Sequence, residues 1–306
     1  MYEGFYGLSE KPFSLLPDAS FLFLSKHHRR AVNLLDYGMA TQAGFVVITG
    51  DVGAGKTTIV RRFLKNVGPR VAVGVITNPS ASIGRLLGWI AMAFDLKERD
   101  ADDAILYNEF IAFLLAQYAQ GKHTVLIVDE AQNLTAAMLE ELRMLSNVNN
   151  ERDLLLQIVL VGQPELLDTL KRPDLRQFVQ RIAVHCHLGT LPPAETAAYI
   201  RHRLGHVGGA ADLFDDAACA AVYHFTGGVP RLINLLCDQS LVYGFSEDLP
   251  QISMATVAEV AIDRSRFGLS AFQNVPEVFA ADKLQAAMQD AFDEIRHDQQ
   301  KKTETP

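Results

Sequence analysis

The sequence predicts a three-layer α/β domain built on a parallel five-stranded sheet, followed by a small all-helical domain. Three features lead there. Short apolar runs alternate with helical stretches between residues 45 and 188. A glycine-rich turn joins the first of those runs to a helix. Strand signals stop at Leu191-Pro192-Pro193, while helical ones continue. Short buried strands alternating with helices form a parallel sheet covered on both faces.

Taken in order, residues 1–44 open with a polar, proline-bearing stretch, Gly7-Leu-Ser-Glu-Lys-Pro-Phe13 and then Pro17-Asp18. A helix is predicted at 27–40, with Ala31, Leu34, Leu35 and Met39 on one face. Strands are predicted at 45–49, 71–77, 124–128, 154–161 and 182–188. Between them helices are predicted at 55–66, 82–95, 104–119, 135–147 and 164–180. Residues 45–190 form the sheet domain in this reading. Helices at 194–205, 215–225, 229–244 and 254–264, punctuated by Gly208-Gly209, Gly227-Gly228 and Pro250, form a second domain over 191–267. The tail, 268–306, carries Leu284, Met288, Phe292 and Ile295 on one helical face, a stripe that by default packs on its own chain.

Composition sets limits. The 306 residues carry 28 basic and 36 acidic side chains, a formal charge of −8, and 49% are apolar. That fits a globular chain and argues against a whole-surface nucleic-acid binder. No apolar run approaches the roughly 20 residues of a membrane helix. The opening Met-Tyr-Glu-Gly-Phe-Tyr-Gly lacks the basic and apolar regions of a signal peptide. Cys186, Cys219 and Cys237 form no metal or disulfide spacing, which suits a reducing, cytoplasmic setting.

The candidate site lies at the glycine-rich turn. Gly50-Asp51-Val52-Gly53-Ala54-Gly55-Lys56-Thr57 fits G-x-x-x-x-G-K-[ST] without a mismatch, and Thr58 follows. It closes a buried strand and opens a helix, the setting a phosphate-binding loop needs. Glycines allow successive backbone N–H groups to converge on phosphate oxygens, and the helix N-terminus adds partial positive charge. Lys56 supplies a point charge to the β- and γ-phosphates, and Thr57 offers a hydroxyl to Mg²⁺. Further along, Val125-Leu-Ile-Val128 carries Asp129 and Glu130 to the end of a buried strand. Ligands of open parallel sheets bind at that end. Asp129 is the candidate magnesium holder and Glu130 the candidate general base for an attacking water. No guanine-recognition motif of the Asn-Lys-x-Asp type is present, so ATP is the expected nucleotide.

A strand-end Asp-Glu, with one strand between it and the loop strand, resembles the AAA+ ATPases, P-loop NTPases whose sheet order is 5-1-4-3-2 and whose sheet domain is followed by a helical lid. The resemblance implies roles for further residues. Gly227-Gly-Val-Pro-Arg231 looks like the sensor-2 segment, in which a lid arginine touches the γ-phosphate, and so points to Arg231. Gln163, after the fourth strand, stands where the superfamily places its polar sensor 1. Arg176 and Arg181, just before the fifth strand, stand where an arginine finger serves the neighbouring subunit, with Arg181 preferred. A finger acting in trans implies ATP at subunit interfaces, hence a homo-oligomeric ring or filament.

The resemblance narrows at the N-terminus. Tyr6-Gly-Leu-Ser-Glu-Lys-Pro-Phe13, Pro17-Asp-Ala-Ser-Phe-Leu-Phe-Leu-Ser25, Asp129-Glu-Ala-Gln132 and Gly162-Gln-Pro-Glu-Leu166 are similar to the general secretion pathway protein A family. Within it, the chain looks closest to the shorter ATPases encoded with exosortase (PEP-CTERM) and exopolysaccharide loci. Full-length members continue into a membrane helix and a peptidoglycan-binding domain, and neither is found in these 306 residues. The resemblance therefore implies a Mg²⁺-dependent ATPase that energises or regulates an envelope secretion or exopolysaccharide export system. It would be cytoplasmic and reach the inner membrane through protein partners. Two other readings share the core: a DNA-binding regulator of the transposition-ATPase kind, which needs a basic stripe, and a nucleotide switch with little turnover.

Other features weigh less. His185-Cys-His187 puts two imidazoles on one strand face without a third ligand nearby in sequence. His27-His-Arg-Arg30, and Arg61-Arg62 with Lys65, read as solvated helix surfaces.

Overall fold

The computed structural model describes every residue except Pro17, 81–83, 97–101, 151–152, 267, 269–270 and 305–306. The first two residues of the helix predicted at 82–95, and Pro17 of the opening motif, lie outside the described residues. The chain divides into two compact units: Lys26–Val52 with Lys56–Leu188, and Met1–Ser25 with Gly53–Gly55 and Gly189–Pro306.

The first unit is a parallel sheet with helices on both faces. Its strands are β1 (Phe45–Gly50), β2 (Val71–Thr77), β3 (His123–Asp129), β4 (Leu156–Gly162) and β5 (Ile182–Leu188). The spatial order is β2-β3-β4-β1-β5, all pairs parallel, so the 5-1-4-3-2 order implied by the resemblance is present. The central strand β1 is buried throughout, which is why Phe-Val-Val-Ile reads as a continuous apolar run rather than an alternating one. On edge strand β5 burial alternates, with Val184, Cys186 and Leu188 inside and His185 and His187 out.

Helices α1 (Lys26–Ala40) and α2 (Lys56–Asn66) pack on β1 and its neighbours. On the other face Phe45 and Val47 join a core with α3 (Leu86–Ala93), α4 (Asp103–Ala119) and α5 (Ala136–Leu145). The helix predicted at 164–180 is broken into α6 (Glu165–Leu170), a 3₁₀ turn at Pro173–Leu175 and α7 (Arg176–Val179). Pro173 is the physical reason, since it has no N–H to donate and its ring clashes with the preceding turn.

The second unit is helical: α8 (Pro193–His206), α9 (Asp216–Thr226), α10 (Pro230–Ser246) and α11 (Met254–Arg266), with α12 (Ala281–Ala287) and α13 (Gln289–Glu304). Residues 1–25 belong here, with Tyr2, Leu8, Phe13 and Phe21 buried in the helical core. Arg203 anchors them. Its buried guanidinium donates to the Pro12 carbonyl at 2.5 Å and to the Tyr199 hydroxyl at 2.9 Å, and lies over the Phe21 ring. Tyr199 donates to Asn234, whose amide reaches the Ser14 carbonyl. A buried charge without a carboxylate is tolerable when its donors are satisfied in this way. The tail docks on the same unit. α13 packs on α8 and α9, and Leu284, Met288 and Ile295 are buried. Gln299 donates to Asp216, which also pairs with Arg201 at 2.6 Å. Among the described residues, no helix is long and apolar enough to cross a membrane.

The turn before α10 depends on Gly228. Its carbonyl accepts from Leu191 N at 2.9 Å. Its φ is +74°, and a Cβ there would lie 1.8 Å from the Leu191 carbonyl oxygen. Gly228→Ala is expected to destabilise the helical unit by roughly 2–4 kcal/mol, read as a lower melting temperature by circular dichroism.

Candidate functional site

The loop between β1 and α2 is built as the sequence motif requires. Gly53 and Gly55 adopt φ of +81° and +96°, conformations that side chains resist. Gly50 is needed for a different reason: a Cβ there would stand 2.7 Å from the Leu188 carbonyl oxygen of β5. Asp51 and Val52 are exposed at the loop, Ala54 is buried and Thr58 half-buried.

Lys56 opens α2 and is buried. Its ammonium donates to the Gly50 carbonyl at 2.7 Å and the Asp51 carbonyl at 2.9 Å. Burial lowers its pKa, against the attraction of Glu130, Asp129 and Asp51. Thr57 Oγ1 donates to Asp129 Oδ2 at 3.2 Å, and Asp129 Oδ1 accepts from the Glu130 amide at 3.0 Å. Asp129 is 8% exposed at the end of β3. Burial raises its carboxyl above the usual range, with Glu130 adding to the rise and Thr57 and Lys56 opposing it. The buried ammonium thus rests on carbonyl oxygens and the buried carboxylate on a hydroxyl and an amide. That is the donor set suited to a phosphate on one side and a divalent cation on the other.

Glu130 takes a left-handed backbone, φ 55° and ψ 40°, before a 3₁₀ turn at Ala131–Asn133. The turn folds Gln132 back, so that its amide donates to Glu130 Oε2 at 2.6 Å. Gln163 Nε2 reaches the same oxygen at 3.3 Å, and its backbone N donates to Gln132 Oε1 at 2.9 Å. Nearby, Asn133 donates to Asn78 at the end of β2 at 2.9 Å. Gln132, Asn78 and Asn133 were not singled out from sequence. The signal for Gln132 was an amide two residues beyond a strand-end carboxylate.

The arginines differ. Arg176 is exposed on α7, whereas Arg181 is half-buried and donates to Ser146 Oγ at 3.1 Å. Arg231 lies in the first turn of α10. Gly53–Gly55 group with that helical unit, in which the Arg231 amide donates to the Gly53 carbonyl at 3.3 Å. On β5, His185 and His187 both contact the buried Thr49 hydroxyl, at 3.2 and 3.1 Å. Among the described residues, no cluster of three or more His, Cys, Asp or Glu side chains is arranged to hold a metal.

The family described as AAA domain matches residues 39–170. Over 266 residues the chain is 40% identical to general secretion pathway protein A of Aeromonas hydrophila, covering 87% of this chain and 49% of that protein. The chain therefore spans about half the length of that relative. The fold is similar to the Aeropyrum pernix ORC2 protein, with a TM-score of 0.61 at 15% identity over 92% of this chain and 83% of the other. It is also similar to Cdc6p from Pyrobaculum aerophilum, with a TM-score of 0.61 at 15% identity over 88% and 74%. Residues 39–170 thus match the AAA domain family on a P-loop NTPase fold, in a chain similar over most of its length to general secretion pathway protein A.

Proposed function

We propose that this chain binds and hydrolyses ATP with Mg²⁺. The observation that carries the reading is the meeting of Lys56, Thr57, Asp129 and Glu130 at one end of the sheet, where Lys56 rests on two loop carbonyls and Asp129 accepts from the Thr57 hydroxyl and the Glu130 amide. The backbone amides of Gly50–Thr58, with Lys56, would hold the phosphates. Thr57 and Asp129 would hold the magnesium, whose contribution is to offset the charge that builds up on the transferred phosphoryl group. Glu130 would take the proton of the attacking water, and Gln163 would hold that water or the γ-phosphate in line. In the described state the Gln132 and Gln163 amides both occupy Glu130 Oε2. The proton of the water would then be taken at the other carboxylate oxygen, Oε1.

Arg231 is proposed to touch the γ-phosphate. A finger serving a neighbouring copy has to project into solvent. We therefore place it at Arg176, which does so, rather than at Arg181, which is engaged with Ser146. A homo-oligomer with ATP at its interfaces follows from that placement. The name of the 40%-identical relative supports an envelope-secretion setting, with ATP turnover driving or timing assembly through protein partners. Export of exopolysaccharide, and a cytoplasmic location with contact to the inner membrane through a partner, belong to the same proposal.

Lys56→Ala is expected to abolish Mg²⁺-dependent ATP binding measured by calorimetry. Glu130→Gln should retain binding and lose hydrolysis by roughly 10²–10³-fold, measured as phosphate release. Hydrolysis by Glu130→Gln at the unaltered rate overturns the base assignment. Arg176→Ala should lower turnover of the assembled form while leaving nucleotide affinity unchanged.

Asp129 gives a separate test. Burial raises its carboxyl, so relative to the unfolded chain the ionised form costs the ligand-free fold stability, a cost absent below the unfolded pKa and complete once the pH passes the raised one. Asp129→Asn should therefore stabilise the nucleotide-free protein at neutral pH by about 1 kcal/mol, seen by thermal unfolding, while removing any stabilisation by Mg²⁺ and ATP.

A further inference from the structure

Helix α4 has the composition of a helix buried on all sides, yet one of its faces is open to solvent. Asp103 and Glu109 are the only charged side chains among its 17 residues. Leu106, Phe110 and Leu114 point into the core. At 100° per residue the opposite face is Ile105, Asn108, Ala112, Leu115 and Ala119, spaced 3-4-3-4. All five are exposed, Ile105 at 48% and Leu115 at 50%. Met92 of α3, the helix that packs on α4, is also an exposed apolar side chain, at 56%. A solvated helix face ordinarily carries charge. This one carries none over about 21 Å of helix, at 1.5 Å per residue.

We propose that this face is where a second copy of the chain docks, helix α4 against helix α4, antiparallel. The 3-4-3-4 spacing is that of a coiled-coil seam, and the same patch on both copies suits a two-fold contact. In an antiparallel register that sets Ala112 against Leu115 of the second copy, Asn108 comes level with Ala119, and Lys122 with Ile105, one turn from Asp102. The ends are complementary in charge. Asp102 and Asp103 stand at the start of α4 and Lys122 just beyond its end, so antiparallel docking brings opposite charges together, whereas a parallel pair would bring the acids together. The helix dipoles also oppose. Arg85 already pairs with Asp103 at 2.8 Å, which leaves Asp102, whose Oδ1 caps the Ile105 amide at 3.0 Å, as the principal charge for Lys122 of the second copy. Asn108, a lone polar residue in the seam, fixes register at some cost in stability. A single helix face with Met92 is smaller than the roughly 800 Å² per partner of a standard stable interface. The dimer is therefore weak and reversible, with a dissociation constant in the micromolar range or above. It uses neither the loop at 50–58 nor Arg176, so it stands apart from the proposed ATP chemistry.

Sedimentation velocity of the full chain without nucleotide, over a rising concentration series, tests this. A reversible dimer is expected, formed equally by Lys56→Ala. Leu115→Glu and Ala112→Glu, at exposed positions, should weaken it at least about tenfold, or ~1.4 kcal/mol, with an unchanged far-UV spectrum and melting temperature. Lys122→Glu should weaken it at low salt, the readout of antiparallel order. A chain that stays monomeric throughout the series, or a dimer indifferent to Leu115→Glu, overturns the proposal. A dimer that loses affinity with Leu115→Glu but not with Lys122→Glu overturns the antiparallel arrangement.

Discussion

Asp129 occupies a position that a carboxylate does not favour. It is nearly buried after the apolar run Val125–Val128, and its partners are a threonine hydroxyl and a backbone amide rather than a cation. Lys56 is in the converse state, an ammonium resting on two carbonyl oxygens of its own loop. The sheet forces this arrangement. β3 and β1 run parallel with β4 between them, so the ends of both strands, and the groups that follow them, emerge at the same edge. Removing the charge from either group would ease the fold, and both charges are what the proposed chemistry needs. Stability given up at a site in exchange for function is a common feature of such arrangements.

Much of this could be read from the sequence, for physical reasons that can be stated. The runs at 45–49 and 124–128 are buried on both faces, so apolarity alone marked them, and the loop motif fixes its own backbone through glycine. What escaped depended on tertiary geometry. Gln132 acts only because a left-handed Glu130 and a 3₁₀ turn fold it back onto the carboxylate. Arg181 and Arg176 look alike in sequence and differ only because Ser146, 35 residues before Arg181, comes within hydrogen-bond reach of one of them. The helix break at Pro173 was legible from proline chemistry, yet the apolar periodicity on either side masked it.

The opening residues make the same point. Their polar, proline-bearing character suggested a segment apart, whereas Tyr2, Phe13 and Phe21 are core residues of the helical unit. The attachment runs through groups far away in the chain. Tyr2 donates to Asp238, Arg203 to Pro12, and Phe13 packs edge-on against Phe214. No local pattern encodes such partners, since each of these residues would be equally at ease in a loop.

That attachment has a consequence for how the protein is made. All five strands of the sheet unit have been synthesised by Leu188, so that unit can close while the ribosome is still translating the remainder. The aromatic residues of the opening segment, though synthesised before the sheet unit, must wait for partners near 203, 214 and 238. Until then their apolar surface is unburied, and the helical unit matures late through contacts of very long sequence separation.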